Sequence, residues 1–162
     1  MTEEKARAKR VADSYTEQVR MVTSPDLNGY GRLFGGRLME WIDEVAGIVA
    51  RRHSGTTVTT AMVDTLCFRG PAYPNDTLVL AGKITSVGNT SMEVCVRTMV
   101  EDLNGYKRTI NKAYLVLVAL DENEKPTQVP RLIIETDEER MELELSKRRN
   151  ELRNERRKIN AN

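Results

Sequence analysis

The sequence predicts an α+β domain in which an antiparallel sheet curves around one long central helix. Two observations lead to this prediction. Apolar residues recur at helical spacing through residues 35–54, and four long runs rich in β-branched residues follow between residues 56 and 121. A single buried helix followed by consecutive strands fits a sheet that wraps around that helix. The 162 residues allow one domain with a hydrophobic core and leave little room for a second.

The chain before the helix divides into a polar lead-in and one short strand. Residues 1–16 are charged and weakly patterned, so we expect them to lead into a domain that covers residues 17–134. The segment EQVRMVTS, residues 17–24, is typical of a strand, and Pro25 ends it because proline cannot continue a ladder of hydrogen bonds.

The central helix is predicted to begin at Gly35 and to run for about 18–20 residues, or roughly 27–30 Å. Its apolar stripe steps by four, three and four residues through Leu38, Ile42, Val45 and Val49. The basic residues 51–53 suit the negative C-terminal end, and Gly55 provides the stop. Such an apolar helix belongs in the core.

Strand follows strand after this helix, which favours an antiparallel meander. Pro71 ends the first of them, and Asn104–Gly105 is a typical hairpin turn between the last two. The four predicted strands cover residues 56–70, 76–88, 89–102 and 106–121.

Residues 135–162 predict a second helix of a different kind, which is strongly charged. Thr136 and Glu139 form a capping box, acids dominate the first half and bases the second, and this order matches the helix dipole. Its apolar line is too thin for a core, so we expect a solvated helix that lies on the domain or on a partner subunit. That line consists of Met141, Leu145, Leu152 and Ile159.

Composition argues against several classes of function. A net charge of +1, and a basic half-helix without interleaved aromatic residues, give no reason to expect nucleic acid or a membrane surface as a partner. No run of about 18 apolar residues suggests a membrane span. One histidine, with Cys67 and Cys95 in separate strands, cannot form a metal cluster. A metal-free cytoplasmic protein is therefore expected.

The start of the central helix is unusual because Gly35 and Gly36 are followed by Arg37, with no acid in the first turn. The first amide groups of a helix lack partners within the helix and carry partial positive charge, so they can hold a developing oxyanion. The alternative is that the two glycines only permit close packing of the helix on a strand.

Asp43 is the second unusual feature, because it lies at the edge of the apolar stripe beside small residues at positions 46, 47 and 50. A carboxylate there either pairs with an arginine across an interface or acts as a general base or nucleophile. Asn28 before Gly29 is by itself ordinary turn chemistry. Asp64 interrupts a strand and is expected to be an internal hydrogen-bond acceptor, with catalytic use as the alternative.

The ordered motifs in this chain resemble a known family. The segment DLNGYGRLFGGRLMEWIDEVAG at residues 26–47 is similar to the signature of the hot-dog acyl-CoA thioesterases of the cytosolic acyl-coenzyme A hydrolase type. The likeness continues through ARRH, VTTAMVDTLCFRGP and GNTSMEV and covers about residues 17–120. It implies an acyl-CoA hydrolase in which a curved sheet wraps a central helix, as the pattern itself suggests.

The resemblance also implies roles for residues of the site. The catalytic asparagine of the family falls on Asn28 and its catalytic aspartate on Asp43. The helix start at Phe34, Gly35 and Gly36 would bind the thioester oxygen through backbone amides.

Four further residues resemble positions near bound coenzyme A, namely Arg51, His53, Thr90 and Ser91. Coenzyme A is then part of the substrate and a product, so no other cofactor is implied. The family implies homodimers whose two sites are shared across the interface, assembled further into hexamers as trimers of dimers. Acyl chain length, and the choice between base and nucleophile for Asp43, are not specified by the sequence.

Two alternatives belong to the same fold family. An acyl dehydratase or hydratase needs a histidine paired with a carboxylate, whereas His53 lies at the far end of the helix. A non-catalytic acyl-CoA-binding protein, such as a hot-dog repressor, needs a DNA-binding domain that residues 1–16 are too few to form.

Overall fold

The computed structural model describes residues 7–161, so residues 1–6 of the predicted lead-in and Asn162 lie outside the described part. The helices are α1 (Val11–Ser14), α2 (Gly35–Ser54) and α3 (Asp137–Asn160). The strands are β1 (Lys9–Arg10), β2 (Thr16–Met21), β3 (Thr57–Phe68), β4 (Thr77–Val87), β5 (Ser91–Glu101), β6 (Lys107–Leu120) and β7 (Leu132–Ile133).

Five strands form one antiparallel sheet in the order β2-β4-β5-β6-β3, which confirms the predicted class. β1 and β7 form a separate parallel pair, and Val11 and Ser14 of α1 are buried. β2 ends at Met21, earlier than the predicted Ser24, because a 3-10 turn over Ser24–Asp26 with proline in its first turn redirects the chain.

α2 fills the concave side of the sheet, and its bounds match the prediction. Its apolar stripe is buried against β4, β5 and β6, and Val45 and Val49 are fully buried. A Cβ at Gly82 of β4 would lie 2.8 Å and 2.9 Å from these two side chains, so glycine there permits the close approach of helix and strand. Gly55 ends the helix with a left-handed φ of 69° and donates its amide to the Arg51 carbonyl at 2.9 Å.

β3 is the edge strand next to β6, and none of its twelve residues is buried. Two irregularities in its pairing with β6 leave Ala61 and Asp64 out of register. A long edge strand with one unpaired edge is a template for pairing with another chain.

α3 lies on the convex face of the sheet, opposite α2. Side chains alternate along β5, so Val94 is in the core under α2 while Glu93 points to the other face and meets Arg149 of α3. The helix starts at the predicted capping box, in which Thr136 accepts from the Glu139 amide at 3.1 Å. No helix in residues 7–161 is long and apolar enough to cross a membrane.

Candidate active site

The N-terminus of α2 is open, as its sequence predicts. Phe34 is the extended N-cap residue and offers no side-chain cap, and the first turn contains no acid. The amides of Gly35 and Gly36 have no hydrogen-bond acceptor within the described residues. A Cβ at Gly36 would lie 2.6 Å from a ring carbon of Phe34, so glycine allows this ring to rest against the helix start.

Asn28 shapes the loop that faces this helix start. Its Oδ1 atom accepts hydrogen bonds from the amides of Tyr30 at 2.9 Å and Arg32 at 3.2 Å. Two N–H donors identify the accepting atom as the side-chain oxygen. The Nδ2 group is left to donate to a ligand, so the turn role and a catalytic role are compatible.

Asn28 and Gly35 line one cleft, which we call the amide cleft. It has a volume of about 440 Å³, and its other lining residues are the apolar Leu33, Phe68 and Pro71 together with Arg32 and Gly70. Phe68 lies at the end of β3, and a Cβ at Gly35 would meet its ring at 3.5 Å. Amide donors therefore lie beside apolar side chains, an arrangement that suits a carbonyl group attached to an acyl chain.

Asp43 lies two turns further along α2 and accepts a hydrogen bond of 2.6 Å from the Thr60 hydroxyl of β3. Both residues are exposed, and no lysine or arginine of residues 7–161 lies within salt-bridge distance of Asp43. Asp43 therefore has no arginine partner within the described chain, and the alternative of an arginine across an interface concerns a second chain.

A second cleft of about 440 Å³ opens beside this carboxylate, and we call it the carboxylate cleft. Asp43, Gly47, Arg51 and Thr60 line it. A Cβ at Gly47 would meet nothing within 4 Å, so there is free space next to the carboxylate. Of the three small residues that follow Asp43, Gly47 leaves room for a ligand, whereas Ala46 and Ala50 are buried in the core.

The two clefts have no lining residue in common. From Gly35 to Asp43 the helix rises by about 12 Å at 1.5 Å per residue. The chain brings Asn28 to Gly35 and Asp43 to Thr60, but one chain alone does not bring Asn28 and Asp43 into one cleft.

The four residues suggested for coenzyme A are divided among three places. Arg51 lines the carboxylate cleft, and Thr90 and Ser91 line a third cleft between the sheet and α3. His53 is fully buried and lines neither place. Its Nε2 atom lies 2.9 Å from the Pro130 carbonyl and therefore donates to it. Burial lowers the pKa of His53, which favours the neutral ring and a structural role.

The structure also shows the surroundings of Asp64 and Thr60. Asp64 accepts from Arg153 at 2.9 Å and Arg156 at 3.0 Å, so it is an internal acceptor as expected. Thr60 was not predicted as a site residue, because threonine is common in strands and Thr60 stands in a run of them. Within residues 7–161, no group of three or more His, Cys, Asp or Glu side chains is arranged to hold a metal ion.

Comparison with known proteins identifies the family. The thioesterase superfamily profile matches residues 30–105. An uncharacterized acyl-CoA thioester hydrolase of Bacillus subtilis is 42% identical over 117 residues, which is 72% of this chain and 68% of the relative. The chain belongs to the acyl-CoA thioester hydrolase family. It spans only 37% of the rat cytosolic acyl coenzyme A thioester hydrolase, to which it is 34% identical over 142 residues.

Solved structures agree with this assignment to the acyl-CoA thioester hydrolases. An asparagine-to-alanine mutant of the Staphylococcus aureus acyl-CoA hydrolase in complex with coenzyme A has 33% identity and a TM-score of 0.93. The match covers 96% of this chain and 94% of that one. A hexameric acyl-CoA thioesterase has 38% identity and a TM-score of 0.89, with 93% and 97% covered. The hot-dog fold is confirmed.

Proposed function

We propose that this chain hydrolyses fatty acyl-CoA thioesters to a free carboxylic acid and coenzyme A, with Asp43 as the reacting carboxylate. One observation supports this role of Asp43 most directly. Its carboxylate has no cationic partner within the described residues, is oriented by Thr60 at 2.6 Å, and faces open space beside Gly47. An exposed carboxylate oriented in this way can accept a proton from water or attack a carbonyl carbon.

The open start of α2 supplies the second half of the chemistry. The thioester oxygen binds to the amides of Gly35 and Gly36, where fixed dipoles stabilise the negative charge that develops on it. The Nδ2 group of Asn28, in the same cleft, donates to the water or to the thioester.

In the base pathway, Asp43 takes a proton from water, and the water oxygen forms a bond to the carbonyl carbon. The carbon–sulfur bond then breaks, and the thiolate of coenzyme A takes up the proton. In the nucleophile pathway, the carboxylate of Asp43 itself displaces the thiolate, and water opens the resulting mixed anhydride. Both pathways need an ionised Asp43, and neither requires a cofactor besides the substrate.

The complete site needs two chains, because the amide and carboxylate clefts are separate on one chain. The open edge of β3 is the surface for a two-fold partner, and Thr60 lies on this strand and Phe68 at its end. A two-fold pairing at β3 brings Asn28 of one protomer towards Asp43 of the other. The similar hexameric thioesterase supports further assembly into a trimer of such dimers.

The proposed site residues are also supported by the S. aureus enzyme. Its solved mutants replace an asparagine, an aspartate and a threonine by alanine, which are the residue types of Asn28, Asp43 and Thr60. We further propose a cytoplasmic protein, since the rat relative is a cytosolic hydrolase and Cys67 and Cys95 are both free.

The test is release of free coenzyme A from acyl-CoA, measured with a thiol reagent over acyl chains from acetyl to palmitoyl. Asp43→Asn keeps the shape of the side chain but removes its charge, so kcat should fall by about 10²–10⁴ while the protein still folds and binds acyl-CoA. Glu40→Gln is the matched control, because Glu40 is an exposed carboxylate of the same helix that lines neither cleft and pairs with Arg37 at 2.8 Å. Near wild-type turnover in Asp43→Asn would remove Asp43 from the mechanism.

A further inference from the structure

Two buried polar side chains, Asn111 of β6 and Thr98 of β5, have no role in the chemistry described above. Both residues are fully buried. The Oδ1 and Nδ2 atoms of Asn111 and the Oγ1 atom of Thr98 have no hydrogen-bond partner within residues 7–161. Buried polar atoms are rarely left in this state, because losing water without gaining a hydrogen bond is unfavourable. Three such atoms suggest a partner that binds from outside the chain.

The two side chains are neighbours on the concave face of the sheet. Asn111 pairs with Thr98 across β6 and β5, so both point to the same face. Val96 and Ala113, two residues further along each strand, belong to the core under α2, which identifies that face. The pairing of the two strands shifts directly beside this pair and leaves Ile110 as an extra residue. Such bulges often redirect side chains next to binding sites.

The pair lies next to the amide cleft. On its other side Asn111 pairs with Phe68 of β3, which lines this cleft. The Phe68 ring faces the start of α2, at 3.5 Å from the position that a Cβ of Gly35 would take. Gly70, another lining residue, lies against Ile110, whose side chain is 3.7 Å from the position of a Cβ at Gly70. The cleft wall is thus packed on the strand segment that contains Asn111.

Phe68 is the side chain that stands between the cleft and this polar pair. It is 53% exposed, so its ring can change rotamer without disturbing a packed core. An acyl chain whose carbonyl is bound at the amides of Gly35 and Gly36 can displace the ring and extend towards Asn111 and Thr98. The inner end of such a pocket is polar, whereas a pocket for a plain hydrocarbon chain needs an apolar end.

The polar atoms themselves specify what fits. The side-chain amide of Asn111 offers a donor and an acceptor, and the hydroxyl of Thr98 can serve as either. An oxygen atom on the acyl chain can hydrogen-bond to both residues, whereas a methylene group would leave them buried without partners. Sites built around such hydrogen bonds discriminate strongly against a substrate that lacks the polar group.

We propose that Asn111 and Thr98 form the inner end of the acyl pocket, and that they select acyl groups with a hydroxyl or keto oxygen far from the thioester. This inference rests on the proposed function, because it specifies the acyl group of the same substrate. Asn111 and Thr98 are then specificity residues that contact the chain and take no part in the reaction at the carbonyl carbon.

The test compares hexanoyl-CoA with its 5-hydroxy, 6-hydroxy and 5-oxo derivatives. The wild-type protein should hydrolyse at least one derivative with a kcat/KM about tenfold above that for hexanoyl-CoA, as expected for one hydrogen bond. In the double variant Asn111→Leu, Thr98→Val, which keeps the approximate size of both side chains, this ratio should fall to about one or below. The double variant should unfold at the wild-type urea concentration or higher, because it removes polar atoms that had no partner.

Ser14→Ala is the matched control. Ser14 is also fully buried with an unpartnered hydroxyl, but it belongs to α1 and lines neither the amide nor the carboxylate cleft. Its substrate ratio should equal that of the wild type. Thr98→Val alone is the milder variant, and it should lower the ratio in part.

A wild-type protein that prefers none of the three derivatives would overturn the proposal, and this measurement does not depend on the folding of any variant. An unchanged ratio in the double variant, together with a loss of stability, would assign the pair a structural role instead. Failure of the proposed function would look different, since the wild-type protein would then release no coenzyme A from any of the four thioesters.

Discussion

Asn28 shows how one side chain can hold a loop and still serve a ligand. Its oxygen is occupied by the amides of Tyr30 and Arg32, so the nitrogen is the atom left for chemistry. Asn28→Asp keeps two acceptor oxygens for the loop but removes the N–H donor. We expect it to fold as stably as the wild type and to lose about 10- to 100-fold in kcat, as for loss of one hydrogen bond to a charged transition state.

Asn28→Ala is the companion variant, because it removes the loop acceptor as well as the donor. It should show the same loss of kcat and an added loss of stability of about 1 kcal/mol in urea unfolding. Full activity in Asn28→Asp would show that the side chain serves the turn alone.

The sequence could predict Gly35, Gly36 and Asp43 because their signals are local. A missing cap, and a carboxylate at the edge of an apolar stripe, are visible without the fold. Thr60 could not be found in the same way. Its hydroxyl is one of several in a threonine-rich strand, and only the packing of α2 against β3 shows which one reaches Asp43.

At the scale of elements, α3 is attached to the sheet by contacts that its hydrophobic pattern does not predict. Leu145 and Leu152 of its apolar line are 48% and 42% exposed, while Ser146 and Arg153 are buried. The face against the sheet is polar, so its attachment depends on ion pairs that bridge residues far apart in sequence. The periodicity of the helix sequence cannot show that its arginines pair with Asp64 on β3 and Glu93 on β5.

Arg153 is the central member of this attachment, because it bridges Asp64 at 2.9 Å and Glu93 at 2.7 Å. Arg153→Ala leaves both buried carboxylates with one fewer cation, although Arg156 and Arg149 stay in place. We expect the free energy of unfolding to fall by about 3 kcal/mol, measured by urea denaturation.

Arg148→Ala on the exposed side of the same helix should change the free energy of unfolding by no more than about 0.5 kcal/mol. Equal effects of Arg153→Ala and Arg148→Ala would mean that α3 is held by something other than the buried ion pairs.

At the scale of the whole molecule, two buried groups make stability depend on pH. Burial lowers the pKa of His53 in the folded state. The unfolded chain therefore binds a proton at His53 below about pH 6.5, where the folded ring is still neutral. Burial alone would raise the pKa of Glu93, but hydrogen bonds from Arg149, Thr85 and Arg153 outweigh it and lower the pKa. Both groups contribute stability that is present at neutral pH and is lost as the pH falls.

The unfolding temperature should therefore decrease from pH 7 towards pH 5 because of His53, and again below about pH 4.5 because of Glu93. His53→Gln retains a donor for the Pro130 carbonyl and cannot be protonated, so it should flatten the first decrease and keep the second. Scanning calorimetry of both proteins at half-unit steps of pH measures the two slopes. An unchanged slope between pH 7 and pH 5 in His53→Gln would assign the decrease to other groups.

The proposed shared site can be tested by measuring whether two inactive variants regain activity when they form mixed dimers. A two-fold dimer has two equivalent sites, and each is proposed to use Asn28 of one protomer and Asp43 of the other. Homodimers of Asn28→Ala and of Asp43→Ala should both be nearly inactive. When the two variants are co-expressed and pair at random, half of the dimers are mixed, and each mixed dimer has one intact site and one site that lacks both groups. Activity should recover to roughly a quarter of the wild-type value.

The opposite arrangement, in which both residues serve the site of their own chain, predicts a different result. No mixture of the two variants could then rebuild an intact pair of residues. Mixed dimers that are verified by mass spectrometry and stay inactive would therefore refute the shared site.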